Sequence, residues 1–140
     1  MSRRTAREVA MKLAFCKLFG GEGTYEDILD KSGIEEEPTE DDRLFADAIV
    51  AGIHEKESEI DALIDEMAIG WSLKRIPKVD LSILRVAIYE ILYVEDVPYR
   101  VSINEAVELA KIYAGERSPS YINGMLGTLV KRCGDQAIQP

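Results

Sequence analysis

Three arginines at the start of the chain have the residue type and spacing to bind a phosphate group. Arg4 and Arg7 are about one helical turn apart, so a helix would point both in the same direction. Arg3 lies at the helix start, where the backbone N–H groups add positive charge. Because guanidinium groups hold phosphate through paired hydrogen bonds, the segment predicts a phosphate clamp. The alternative is a solvated basic start to an ordinary helix.

No catalytic motif accompanies these arginines. His54 is the single histidine, and no serine or cysteine nucleophile motif surrounds it, so we interpret it as a surface or helix-interface residue. Cys16 and Cys133 lack the spacing of metal ligands, which predicts free thiols and no zinc site. The glycine-rich segment 20–23 lacks the lysine of a P-loop. The sequence therefore predicts no enzyme, no cofactor and no metal.

The 140 residues carry a net charge of −9, but this charge is distributed unevenly. Residues 1–20 have five basic and one acidic side chain (+4), residues 21–66 have three basic and seventeen acidic ones (−14), and residues 67–140 have nine basic and eight acidic ones (+1). Charges more than about 10 Å apart are largely screened at physiological salt. A basic start can therefore attract an anion beside an acidic body, and a nucleic-acid partner stays compatible with the composition.

The elements that must position these residues are helices. Apolar residues recur at three- and four-residue spacing, which predicts helix throughout. A first helix over residues 3–19 ends at a glycine pair, a short helix follows Thr24, and a long stretch runs from Thr39 to about Gly70. Whether Gly52 divides this stretch stays open, because one glycine costs a helix only about 1 kcal/mol.

Prolines and caps divide the second half of the chain. Pro77 begins an element so apolar on all sides that we expect it to be nearly central, and Pro98 closes the turn that follows it. Ser102 with Glu105 predicts a capping box, and Ser118, followed by a proline, predicts the start of the last helix. We expect about seven helices in one all-α domain over residues 1–140. No uncharged apolar run is long enough to span a membrane, so we expect a cytoplasmic protein.

Five sequence blocks together carry a family resemblance. They are RRTARE from Arg3, WSLKRI from Trp71, VDLSILRVAIYE from Val79, a Val-Pro pair followed by INEAVELAK from Ile103, and YINGML from Tyr121. In this order and spacing, over essentially the full length, the blocks resemble the NusB family of transcription antitermination factors.

The resemblance implies a non-catalytic protein made of two small antiparallel helical bundles, approximately residues 1–70 and 71–140. NusB proteins pair with NusE, a protein of the small ribosomal subunit, and the two hold the single-stranded boxA element of nascent RNA. They act in an antitermination complex with RNA polymerase and other Nus factors, which supports processive transcription of ribosomal RNA operons. The expected partners are therefore boxA-containing RNA and NusE.

The family motifs also imply site residues at matching positions of this chain. The RNA-binding residues implied are Arg3, Arg4, Arg7, Lys12, Lys111, Arg117, Ser118 and Tyr121. The residues implied at the NusE interface are Phe15, Asp80, Leu84 and Arg85. Single-stranded RNA is typically held by basic groups and a stacking aromatic ring, the part expected of Tyr121. Thr5 stands where the family often has another basic residue, and Arg117 would offset that loss near Tyr121.

Two other interpretations stay open. One is the NusB-like helical domain that precedes certain RNA cytosine methyltransferases, but no cofactor-binding domain follows Pro140, so we do not expect an enzyme. The other is a self-associating helical interaction protein without RNA binding. A homodimer is compatible with the resemblance, since some family members bury their RNA surface in one.

Overall fold

The computed structural model describes residues 3–18, 39–68 and 73–133. In these ranges the chain forms helices only, which confirms the predicted all-α class for this part of the protein. The helices are α1 (Arg3–Leu18), α2 (Glu40–Met67), a single 3-10 turn (Leu73–Arg75), α3 (Lys78–Tyr93), α4 (Tyr99–Tyr113) and α5 (Ser118–Cys133).

The expected count of about seven helices is not met, since the described ranges contain five α-helices. The short helix expected after Thr24 and the glycine pair expected to end the first helix lie outside the described residues. Gly52 does not divide the long stretch, which forms one 28-residue helix. None of the helices in the described ranges has the length and apolar character to cross a membrane.

Helix α3 is the central element, as its apolar sequence predicts. It packs against α1, α2, α4 and α5. All residues from Asp80 to Ile88 are buried, which a helix surrounded by neighbours requires. Since α3 contacts α1 and α2 as well as the helices that follow it, the expected division of the chain near residue 70 stays a prediction.

Helix starts follow the sequence rules at three of four places. The Thr39 hydroxyl accepts a hydrogen bond from the backbone N–H of Asp42 at 3.1 Å and caps α2. Pro77 precedes α3, and α5 begins at Ser118. The capping box expected at Ser102 is wrong, because α4 begins at Tyr99, directly after Pro98. Ser102 therefore lies inside the helix.

Gly52 allows a close approach of α2 to α3. A Cβ atom on this residue would lie 2.1 to 2.2 Å from ring and hydroxyl atoms of Tyr89, so the tyrosine ring occupies that space. The ring of Tyr89 also packs against Tyr93, with centroids 5.2 Å apart. Gly52 therefore serves helix packing and does not break the helix.

We expect Gly52→Ala to lower the free energy of unfolding by about 1 to 3 kcal/mol, because the Tyr89 ring must leave its position. Urea denaturation measures this change. Gly127→Ala is the matched control, since a Cβ atom at Gly127 meets no atom within 4 Å. The control should be neutral or stabilise α5 by up to about 1 kcal/mol. An equal loss in both variants contradicts the packing role of Gly52.

Candidate nucleic-acid interface

The structure separates the three arginines of the predicted clamp, and Arg3 turns towards α2. Its guanidinium lies 2.7 Å from the carboxylate of Asp41 and 3.3 Å from that of Asp42. The same group stacks over the ring of Phe45 at 4.2 Å. These contacts attach the start of α1 to the acidic first turn of α2.

Arg4 turns towards α4 instead. Its Nε donates to Oε2 of Glu105 at 2.7 Å. The Arg4 side chain is 53% exposed, whereas that of Glu105 is 16% exposed. Arg4 therefore presents an accessible guanidinium that already has a carboxylate partner.

Arg7 does not belong to an exposed clamp as predicted, because it is only 4% exposed. Its Nε lies 2.9 Å from both carboxylate oxygens of Glu90 on α3, and Glu90 itself is fully buried. The hydroxyl of Ser102 adds a hydrogen bond to Glu90 at 3.4 Å. A guanidinium buried in this way has no surface for a phosphate, so Arg7 holds α1 on α3 and does not reach the exterior.

Glu90 is the buried partner of Arg7, and the sequence analysis missed this structural role. The available signal was a carboxylate within the apolar run of α3. Burial raises the pKa of Glu90, and the charge and hydrogen bonds of Arg7, with that of Ser102, offset part of the rise. The charge of Glu105 raises this pKa further. The Arg7 partner is thus what makes a charged carboxylate tolerable at the centre of the fold.

Lys12 lies beside Glu8 and Tyr113, where α1 faces the end of α4. Its Nζ is 3.3 Å from the Glu8 carboxylate and 4.8 Å from the centre of the Tyr113 ring. The Tyr113 hydroxyl donates to Glu8, and burial together with this hydrogen bond raises the tyrosine pKa. Arg4, Glu8 and Lys12 follow one another at four-residue spacing, so one edge of α1 lies along α4.

A cleft of about 570 Å³ lies beyond the end of α4. It is lined by Pro77, Asp80, Gly115, Glu116, Arg117, Ser118 and Tyr121. The loop 114–117 that forms one wall directly follows Tyr113, so the cleft adjoins the edge where α1 meets α4. The structure therefore brings together the predicted residues Arg117, Ser118 and Tyr121. Arg117 is exposed, whereas Ser118 is buried.

Tyr121 is half-buried in this cleft. Its hydroxyl is buried and has no hydrogen-bond partner within the described part of the chain. Burial raises the pKa of Tyr121, and the negative charge of Asp80 adds to the rise. Asp80 is itself buried and shares the cleft with Tyr121, although the resemblance implied a NusE contact for it and an RNA contact for the tyrosine.

Two residues implied at the NusE interface lie in the interior, contrary to that expectation. Leu84 is fully buried in the core. Arg85 is almost completely buried and donates two hydrogen bonds, at 3.0 and 2.7 Å, to Asp61 of α2. Because α3 is enclosed by other helices, neither side chain offers a surface to a partner. Phe15 is half-buried near the end of α1.

Lys111 is exposed on α4 and pairs with Glu108 of the same helix at 3.3 Å. It lies two residues before Tyr113, on the helix that also carries Glu105.

Within residues 3–18, 39–68 and 73–133, no group of histidine, cysteine, aspartate or glutamate side chains is placed to hold a metal ion.

Comparison with known proteins gives consistent matches. A sequence profile of the NusB family matches residues 4–131. Transcription antitermination protein NusB of Acetivibrio thermocellus is 46% identical over 131 residues, which cover 94% of this chain and 90% of that protein. The protein of the same name from Clostridium novyi is 41% identical over 133 residues, which cover 94% of this chain and 99% of that protein.

Solved structures show the same fold. NusB of T. maritima superposes with a TM-score of 0.81 at 36% identity, over 94% of this chain and 92% of that chain. A chain from the complex of antitermination factors NusB and NusE with double-stranded RNA superposes with a TM-score of 0.78, over 93% of this chain and 96% of that chain. Its identity is 23%, so this second likeness shows the fold alone.

The buried ion pair yields a stability prediction. Arg7→Met keeps a long side chain in place but leaves the Glu90 carboxylate without its cation. We expect the free energy of unfolding at pH 7 to fall by about 3 to 5 kcal/mol, measured by chemical denaturation. The double variant Arg7→Met/Glu90→Gln removes both charges and should recover much of the loss. No recovery in the double variant contradicts an electrostatic origin.

The same pair predicts a pH dependence. The folded-state pKa of Glu90 lies above its value of about 4.3 in an unfolded chain. Between these two values the folded state binds more protons, so this group's contribution to stability falls as pH rises. Losing Arg7 raises the Glu90 pKa further, so the deficit of Arg7→Met relative to the wild type should shrink on acidification from pH 7 towards about pH 4.5. A deficit that grows on acidification contradicts burial as the dominant cause.

Proposed function

Because the chain belongs to the NusB family, we propose that it is a cytoplasmic antitermination factor that binds boxA-type single-stranded RNA together with NusE. In this role it supports processive transcription of ribosomal RNA operons within a complex that contains RNA polymerase and other Nus factors. Like the other members of the family, it is a binding protein and not an enzyme.

The observation that carries this proposal is the cleft at Tyr121 beside the basic edge of α1. Arg4 and Lys12 lie along α4, and the loop that follows α4 leads to Arg117 and the cleft. Single-stranded RNA is held by a basic track and by aromatic rings on which its bases stack. Arg4 and Lys12 along α4, with Arg117 and Tyr121 at the cleft beyond its end, supply both features.

We propose different parts for the implied RNA-binding residues. Arg4, Lys12, Lys111 and Arg117 are proposed to contact phosphate groups, since their charged ends lie at or near the surface. Tyr121 is proposed to stack a base, with Ser118 and Asp80 shaping the cleft around it. Arg3 is proposed to contribute from the start of α1, beside the first turn of α2, and Arg7 to position α1 without touching RNA.

NusE is proposed as the protein partner. The fold of this chain occurs in a complex of NusB, NusE and RNA, which supports both partners. A net charge of −9 suits association with a basic ribosomal protein, where complementary charge mainly raises the association rate and orients the partners. Phe15 stays proposed at this interface.

The second candidate is a self-associating protein, because two apolar side chains of α4 are exposed. Ile112 is 63% exposed and Val101 is 40% exposed. Eleven residues separate them, which is about three helical turns, so both lie on one face of α4. A homodimer through this face would cover the neighbouring basic edge. Its mass would rise with concentration, and RNA would compete with dimerisation.

The test is a titration of labelled boxA RNA and a scrambled strand, with and without NusE, at several salt concentrations. We expect preference for boxA, tighter binding with NusE, and a log-log salt slope of about 0.7 for each phosphate contacted. Failure to bind either RNA, even with NusE present, would overturn the proposal and favour the self-associating protein.

Variants at the cleft sharpen this test. Tyr121→Ala should weaken boxA binding by about 5- to 150-fold, the range for losing one base stack. Arg117→Glu should weaken it and reduce the salt slope, and an unchanged affinity would remove Arg117 from the site. Tyr93→Ala is the matched control. Tyr93 is also a partly exposed tyrosine, but its hydroxyl donates a hydrogen bond to Glu59 of α2 and it does not line the cleft. An equal loss in both tyrosine variants contradicts stacking at Tyr121.

A further inference from the structure

Three of the four cations proposed to contact phosphate already pair with carboxylates of the same chain. Arg4 contacts Glu105 at 2.7 Å, Lys12 contacts Glu8 at 3.3 Å, and Lys111 contacts Glu108 at 3.3 Å. A carboxylate and a phosphate bind a guanidinium through the same kind of charge-assisted hydrogen bond. Each acid therefore occupies a position at which RNA would place a phosphate oxygen.

The pair of Arg4 and Glu105 is the one in which this competition is most direct. The Arg4 side chain is more than half exposed, whereas the Glu105 side chain is only 16% exposed. The Arg4 group is thus accessible to a ligand, whereas its carboxylate partner is mostly covered by the protein. A strand that passes over α1 would meet the arginine first.

Fold stability gives little reason for a carboxylate at position 105. Solvent weakens an ion pair with a half-exposed arginine, so such a pair contributes little to stability at most sites. The Glu105 charge also acts against the fold, because it repels the buried carboxylate of Glu90. A neutral residue of similar size would avoid this repulsion.

We propose that Glu105 is an intramolecular competitor that holds Arg4 in the free protein and must be displaced by an RNA phosphate. The inference rests on the proposed RNA-binding function and adds to it a residue that sets the affinity. Glu105 acts through Arg4 and does not contact RNA. It lowers affinity for any single strand, so that only RNA with enough further contacts, such as a base in the cleft at Tyr121, binds stably.

A consequence for salt dependence follows from ion release. When an arginine binds a phosphate, the RNA releases counterions. When Arg4 leaves Glu105, however, the freed carboxylate attracts a cation and cancels part of this release. Removing the Glu105 charge should therefore make the salt slope steeper, by up to about 0.7 for a single-stranded RNA.

The experiment compares boxA and scrambled RNA binding to the full chain and its variants by titration at several salt concentrations. Glu105→Gln keeps the shape and removes the charge. We expect it to bind both RNAs about two- to fivefold tighter, the range for one exposed ion pair, with a steeper salt slope. The ratio of the boxA and scrambled affinities should stay unchanged, because the pair must break for either RNA. Arg4→Gln should abolish the gain in the double variant.

The matched control is Glu66→Gln. Glu66 forms a similar exposed pair with Arg132 at 3.2 Å, so its loss changes net charge equally without touching the proposed surface. Glu66→Gln should leave RNA affinity and salt slope unchanged. Thermal unfolding establishes that each variant is folded, and Glu105→Ala provides a second variant that removes the charge.

The outcomes separate this inference from the function on which it rests. Equal affinities of the wild type, Glu105→Gln and Glu66→Gln overturn the competitor role while RNA binding stands. Weaker binding by Glu105→Gln, or an equal gain in the Arg4→Gln background, also overturns it. If no RNA binds the wild type or any variant, the proposed function itself fails. Binding by Glu105→Gln alone supports the competitor role most directly.

Discussion

The ion pair between Arg7 and Glu90 constrains the rest of the described structure. Both groups are buried, and moving either charge out of contact would leave the other without compensation, at a cost of several kcal/mol. Helix α1 therefore has one permitted position against α3. A shift by one turn, which apolar packing alone tolerates more easily, would separate the two charges. The pair acts as a register device as well as a source of stability.

The surface follows from that register. Once Arg7 faces α3, the four-residue spacing of α1 directs Arg4 and Lys12 to the edge beside α4. These cations meet carboxylates from α1 and α4, so the basic start of the chain is locally neutralised in the free protein. The chain, with a net charge of −9, therefore exposes no uncompensated cluster of arginines at this helix start. In the function we propose, selectivity depends on the cleft at Tyr121, where a base would stack.

Much of the fold could be predicted from the sequence, because its determinants are local. Thr39 and Pro77 mark helix starts through cap geometry and fixed backbone angles, and the run after Pro77 is apolar enough to require a central helix. The prediction failed at Ser102, where a good capping sequence lost to Pro98, four positions earlier. Gly52 was ambiguous for a related reason, since the ring that fills its empty side comes from Tyr89 on another helix.

The sequence by itself determined the all-helical class of the described residues, the basic start, and the blocks that mark the family. These depend on spacing and residue type within a few turns of chain. Only the tertiary structure decided which cations reach the exterior, because their carboxylate partners lie 38 residues away for Arg3, 101 for Arg4 and 83 for Arg7. Local rules place three arginines on one helix end and give no information about partners so distant. The three arginines expected to form one clamp instead pair with carboxylates on three different helices. The Arg7 pair is buried, and the Arg3 and Arg4 pairs lie at the surface.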